Sequence, residues 1–345
     1  MPRGGSRLRK KEPASPSKPR LGRGPLMLVG LLGVVVAGLA VERLTRPLDA
    51  PLPGAGVGPP APVSGPARAA VDWPPPVSLA AEEVDREGLA LADRLVAALP
   101  DLPRAQTVSG RLCALYGAPL EARRRWERSV ALDPRQAEAW LGLAESAHAD
   151  GDYPRVIECL DRLAALDEPL ARRQQPMRIE SRVRMGDASG AIEDLAALGP
   201  ADQLPGWALV LRGEAQAQLG EYGEAAESYR LAIDDPQQAS VARYGRARCL
   251  ARLGRTEEAA QEHEAYARIE EENLRAFDQR QRDLESIAED VGPKVRVLAG
   301  YHTEVGSLFA KRERWEDAER HWRRACSLAP DMPEPRRFLE SLARR

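Results

Sequence analysis

The sequence predicts an all-α fold, an α-solenoid of about six helical hairpins, and three observations lead there. First, Gly206 to Ala239 (GWALVLRGEAQAQLGEYGEAAESYRLAIDDPQQA) reads as two short helices joined by a tight turn. Gly220 stops the first helix, because a residue without a Cβ adopts the left-handed conformation that ends helices. Ala225, Ala226, Tyr229, Ala232 and Ile233 form an apolar stripe of helical period on the second, which Asp234, Asp235 and Pro236 end. Second, the same layout starts again at Pro103, Ala137, Arg172, Gly206 and Ser240, at spacings of 34, 35, 34 and 34 residues, and a sixth time at Ala299. Third, the apolar content of 43% is rich in Ala and Leu and poor in aromatics, which suits helices packed through small contacts. Each hairpin has a face it cannot bury alone, and like neighbours cover it.

In chain order, residues 1–25 carry Arg3, Arg7, Arg9, Lys10, Lys11, Lys18, Arg20 and Arg23 against Glu12, with prolines interspersed, and are expected as a disordered cytoplasmic tail. Leu26 to Val41 is an uncharged run of sixteen residues. At about 1.5 Å rise per residue it is short for a hydrocarbon core of roughly 30 Å, so the expected span is 26–44, with Glu42 and Arg43 snorkelling. The basic excess before it keeps the N-terminus in the cytoplasm and sends the remainder across the inner membrane to the periplasmic side. A cleaved signal peptide, with Gly38 and Ala40 before the cut, and a buried core helix are the alternative readings.

Residues 45–77 form a linker, in which Pro47 to Val77 holds ten prolines and four glycines; it reads as a stalk or as a spacer of no required length. From residue 78 to 345 the chain is expected to be the solenoid. Ser78 is the expected N-cap of a helix from Leu79 to Leu99 that covers the array's first face. Repeats follow near 103–136, 137–171, 172–205, 206–239, 240–290 and 299–332. The step from Ser240 to Ala299 is 59 residues, and the excess lies in Thr256 to Asp290, free of Pro and Gly and dense in charge. It reads as a second helix that overshoots by several turns, supported by opposite charges three and four apart. A coiled-coil surface at Ile269, Leu284 and Ile287 is the sharper reading of it. Pro333 to Leu342 reads as a capping helix.

The repeat resembles the tetratricopeptide repeat, a 34-residue helix–turn–helix unit. Gly213, Gly220, Ala225, Tyr229 and Ala232 stand in its characteristic places, as do Gly110, Ala122, Trp126 and Pro134 in the first repeat. The sixth supplies Gly306, Phe309, Ala318, Trp322, Ala325 and Pro330. The second has Val156 in place of the alanine, the third keeps Gly186, Ala191 and Leu195, and the fifth has His263 at the aromatic place. The resemblance implies that first helices line a groove and that Arg111, Leu141, Glu145, His148, Glu180, Trp207, Val210, Glu214, Tyr244 and Arg248 face it. Trp207 and Tyr244 offer flat apolar contact there, and the charges select a peptide. Chaperone-binding members clamp a carboxylate with asparagines, and this chain has one asparagine, Asn273, outside the first helices.

Signs of chemistry are sparse. The net charge of −2 gives no field that favours nucleic acid. His148, His263, His302 and His321 show no paired ligand spacing, and Cys113, Cys159, Cys249 and Cys326 fall singly in repeat helices as small apolar fillers. No P-loop or nucleophile elbow occurs, and the glycines near Gly30 and Gly54 lie in the apolar run and the linker. The expectation is therefore a non-enzymatic, membrane-tethered scaffold or adaptor, binding a protein or peptide of an envelope complex, with no cofactor, metal or small-molecule substrate. The alternatives are a secreted adaptor after signal cleavage and an envelope glycan- or peptide-acting enzyme using the carboxylates of 257–290.

Overall fold

The computed structural model describes residues 73–285 and 290–344. The expected tail 1–25, the span 26–44 and the linker up to residue 72 lie outside the described residues. Among the described residues there are fifteen α-helices, one 3-10 turn at Ala201–Gln203 and no strand. No helix among them is long and apolar enough to cross a membrane.

α1 (Ala81–Ala98) is followed by the hairpins α2 (Pro103–Leu115) with α3 (Pro119–Leu132) and α4 (Ala137–Ala149) with α5 (Tyr153–Leu166). A short α6 (Glu168–Arg172) precedes the hairpin α7 (Gln175–Met185) with α8 (Ala188–Ala196). Then come α9 (Gly206–Gln218) with α10 (Tyr222–Ala232), α11 (Ala239–Arg252) with α12 (Thr256–Glu285), α13 (Gly292–Ala310) with α14 (Trp315–Leu328), and a final α15 (Pro333–Ala343).

One packing device recurs. The aromatic of a second helix enters the space left by glycines on the first helices either side of it. Trp126 lodges against Gly110 and Gly142, Tyr229 against Gly213 and Gly245, and Trp322 against Gly306, and a Cβ on any of these glycines would overlap the ring. The rings are nearly out of water, Trp126 5%, Tyr229 4% and Trp322 4% exposed. Such burial dominates a core built otherwise from Ala and Leu. Within each hairpin the turn passes through the left-handed region, at Gly220 with φ 82° for example. The sixth hairpin puts Glu313 there, at φ 60°.

The sequence period hides one feature of the packing order. α13 packs on α14, α1 and α2 rather than on α12. The sixth hairpin thus lies beside the first, and its residues share one core with α1 to α5 (Leu91, Leu95, Leu112, Leu298, Phe309 and Trp322 among them), while α7 to α11 form a second core around Ile179, Leu195 and Tyr229. The expectation that α1 covers a free end is corrected: it is packed against α2 on one side and α13 on the other. Its stripe Val84, Leu91, Leu95 is at most 1% exposed because both neighbours use it.

Ser78 does not cap α1 either. The helix begins at Ala81, and the Glu83 carboxylate accepts the Ala80 N–H at 2.9 Å. The end of the proline-rich stretch is held in place: Val77 N–H donates to the Ser327 carbonyl at 2.9 Å, and Arg336 lies 5.1 Å above the Trp73 ring.

α12 returns the chain toward that first end. Its thirty residues span about 45 Å at 1.5 Å each. The first half packs on α11, with Ala259 and Glu262 buried and Glu262 accepting from Arg243 at 2.8 Å and from Arg246. From Glu271 to Arg282 every residue is exposed. Pairs three and four apart, such as Arg275–Glu271 at 2.6 Å, support this solvated half.

Candidate partner-binding groove

The first helices α2, α4, α7, α9 and α11 are neighbours in space, α2 beside α4 and α9 beside both α7 and α11. Places two, five, nine and twelve, counted from the repeat starts Pro103, Ala137, Arg172, Gly206 and Ser240, recur at helical spacing along these helices. Their electrostatics differ along the row.

At the α2 end the face is matched within the chain. Arg104 pairs with Glu138 at 2.7 Å and with Glu304 at 2.6 Å, and Arg111 pairs with the same carboxylates at 2.7 and 3.5 Å. Arg111 also lies 5.2 Å above the Tyr301 ring. Opposite charges hold the Glu138 carboxyl below its ordinary range and push both guanidiniums up, against the desolvation that opposes each shift. Arg111 therefore has its charge satisfied by Glu138 and Glu304. The sequence could not show this: Tyr301 and Glu304 sit on α13, which reaches α2 only because the chain doubles back.

The middle of the row is partly matched. His148 Nε2 lies 3.3 Å from Glu180, off the line of a hydrogen bond, with Tyr153 edge-on 6.0 Å away. Glu180 lies 3.6 Å from Arg184. Glu145 is exposed, and Leu141 is half-buried against the first core.

On α9 and α11 the row opens. Trp207 is half-buried against the second core. Val210, expected on the groove, is a core residue at 3% exposure, because its place on α9 turns toward that core. Glu214 is half-buried; burial, then the nearby Glu180, push its carboxyl above the ordinary range, while Arg184 and Arg248 pull it down, and no hydrogen bond contributes. Arg248 is exposed and stands 5.8 Å from the Tyr244 ring. Tyr244 meets His263 and Tyr266 of α12 at 5.9 and 5.4 Å, so part of its ring faces its own hairpin.

Elsewhere the four cysteines are free and buried, and burial pushes their thiols up, Cys159 to about 11. That keeps them protonated, the reverse of what a nucleophile needs. On the helix of the enzyme reading, 257–290, Glu262 is held by Arg243 and Arg246, and Glu271 and Glu272 stand in solvent, Glu271 paired with Arg275. Among the described residues no group of three or more His, Cys, Asp or Glu is placed to hold a metal. Sequence spacing missed one pair of histidines. His302 and His321 face each other, Nδ1 to Nδ1 at 3.0 Å, and His302 Nε2 lies 3.1 Å from Glu87. A separation of 19 residues across a hairpin gives no local signal of it.

Residues 117–171 match the family model described as tetratricopeptide repeat. A comparison with curated proteins gives no match. Similar solved structures include MamA of Desulfovibrio magneticus RS-1, 18% identical over 49% of this chain and 96% of that one, with a TM-score of 0.43. A tetratricopeptide repeat protein of Parabacteroides merdae is 13% identical over 75% and 97%, at 0.42. The C-terminal part of a repeat-containing protein of Cytophaga hutchinsonii is 12% identical over 73% and 93%, at 0.44.

Proposed function

From the family-model match over residues 117–171 and the repeated hairpins, we propose that this chain is a tetratricopeptide-repeat scaffold or adaptor that binds a protein segment on the α7–α9–α11 face. One observation carries the reading: this face presents Trp207 together with Glu214 and Arg248, which form no ion pair among the described residues, whereas the α2 end of the row is closed by the ion pairs of Arg104 and Arg111 to Glu304 of α13. A preformed helical surface loses little conformational entropy on docking, so its unmatched groups supply binding free energy directly. Leu141, Glu145, His148, Glu180 and Tyr244 extend the same row and are assigned to the partner surface. Arg111 contributes by fixing the row's first end.

We further propose that the scaffold is anchored in an inner membrane through residues 26–44 and works in an envelope complex on the outer side of that membrane. The basic residues before Leu26 and the uncharged run to Val41 support this. Retention of full-length chain in carbonate-washed membranes, with its N-terminus intact, is the expected result. Release of a shortened soluble form would instead establish the secreted reading, which Gly38 and Ala40 favour. The binding face is tested by placing a photo-crosslinking phenylalanine analogue at Trp207 or at Arg124 on α3. Adducts to another protein are expected from position 207 alone. Equal adducts from both would reject the face.

A further inference from the structure

Tyr229 threads from α10 between Gly213 of α9 and Gly245 of α11, where the absent Cβ atoms make room for its ring. The ring is 4% exposed, and its hydroxyl end lies near enough to Glu214 and Arg248 that both charges bear on it. Glu214 is the residue after Gly213, and Arg248 lies three after Gly245 on the adjoining helix. The helices whose glycines admit the aromatic thus carry an acid and a base within electrostatic reach of the phenol.

Among the described residues none of the three polar groups has a hydrogen bond or ion pair. Glu214 is drawn toward the neutral acid by burial and by Glu180, and no hydrogen bond offsets this. Arg248 reaches no carboxylate; its contact is the Tyr244 ring. Burial and Glu214 push the Tyr229 hydroxyl far above its ordinary range, so it stays a neutral donor and acceptor. The neighbouring charges are accounted for: Glu180 is shared by His148 and Arg184 on the α7 side, and Glu262 takes Arg243 and Arg246 on the α11–α12 side. The contrast with Arg104, Arg111, Glu138 and Glu304, where every charge meets two of the opposite sign, isolates this spot as the row's unsaturated point.

We propose that Glu214, Tyr229 and Arg248 form a mixed-charge anchor that takes a protein segment carrying a lysine or arginine beside an aspartate or glutamate. The cation of the segment replaces water at Glu214, its carboxylate meets Arg248, and the Tyr229 hydroxyl hydrogen-bonds between them. A segment of one sign would satisfy one group and repel the other. Since Glu214 sits among Glu180, Arg184, Arg248 and Tyr229, a cation arriving there also favours its ionised form. This rests on the proposed scaffold function, and narrows it to a partner chemistry.

The test uses the full chain and three fluorescein-labelled decapeptides: alternating Lys and Glu, all Lys, and all Glu. The alternating peptide is expected to bind at least tenfold tighter than either homopolymer, and Glu214→Gln and Arg248→Ala each to weaken it about tenfold, the effect of losing one desolvated charge pair. Arg124→Ala on α3 should leave it unchanged. Equal binding of the three peptides, no binding of the alternating one at millimolar concentration, or an unaffected Glu214→Gln each overturns the anchor. Adducts from the crosslinker at position 207 would persist in that case, so failure of the anchor is separable from failure of the scaffold reading.

Discussion

Acidification should loosen the seam that joins the sixth hairpin to α1. Three elements meet there: Glu87 from α1, His302 from α13, and His321 with Arg324 from α14. Arg324 grips Glu87 at 2.8 and 2.6 Å, and together with His302 it holds that carboxyl down to about 2 despite burial, so Glu87 is charged throughout the neutral and mildly acidic range. The charged acceptor fixes the His302 tautomer: Nε2 carries the proton toward Glu87, Nδ1 accepts, and His321 Nδ1 donates to it. A further proton on both rings would set N–H against N–H. Burial lowers His302; burial, then His302 itself, then Arg94 and Arg320, lower His321 to about 3, with Asp317 opposing.

Both histidines are therefore depressed below the 6.5 they have when undocked, and the undocked state takes up protons first. Docking is at full strength above pH 6.5 and weakens as pH falls. At pH 5 His321 alone costs about 2 kcal/mol, a factor of roughly 30 in opening, from 1.36 kcal/mol per unit. Glu87 adds a loss only below its unperturbed 4.5, and Glu214, whose carboxyl is raised, acts in the opposite sense on α9, away from the seam. Amide exchange of α13 and α14, corrected for intrinsic rate and compared with α9 and α10, measures this at pH 7 and 5. His321→Gln, which keeps a donor and cannot titrate, should remove most of the change. Equal protection of α13 at both pH values, or an undiminished change in His321→Gln, refutes the reasoning.

Other outcomes follow from single positions. Gly245→Ala, which sets a methyl into the Tyr229 ring, should destabilise by about 1–3 kcal/mol in urea melts. Glu313→Gly should stabilise by about 0.5–1 kcal/mol, because Glu313 holds the left-handed turn at φ 60° that the other hairpins give to glycine. Trp322→Ala, removing a ring 4% exposed, should cost about 3–5 kcal/mol. Leu274→Gln with Phe277→Gln, on residues 62% and 56% exposed, should change the urea midpoint by no more than the equivalent of about 0.5 kcal/mol per site.

The helical hairpins were legible in the sequence because one local rule repeats: glycine at the turn, alanine against the neighbour, an aromatic that needs glycines to receive it. Tyr229, Gly213 and Gly245 show the rule at work, and the overshoot of α12 was visible as a run of charge without Pro or Gly. What was not legible depends on distance along the chain. A period of 34 residues states that like hairpins stack, and says nothing of which stack on which. Glu304 reaching Arg104 across 200 positions, and Arg324 reaching Glu87 across 237, arise from the return along α12. Hence the repeat pattern alone puts Arg111 on an open groove although α13 closes it, and puts Val210 on the surface although it is core.

The central claim is that binding belongs to the α7–α9–α11 face and that the α2 end of the row is closed by α13 of the same chain. Site-directed photo-crosslinking of the full chain in its native cells compares the two directly, with the probe at Trp207 and at Leu141 against Thr303 on α13. The account predicts adducts to a second protein from Trp207 that disappear with Glu214→Gln and Arg248→Ala combined, and none from Thr303. Adducts from Thr303 as strong as those from Trp207, unaffected by the paired substitution, would contradict it.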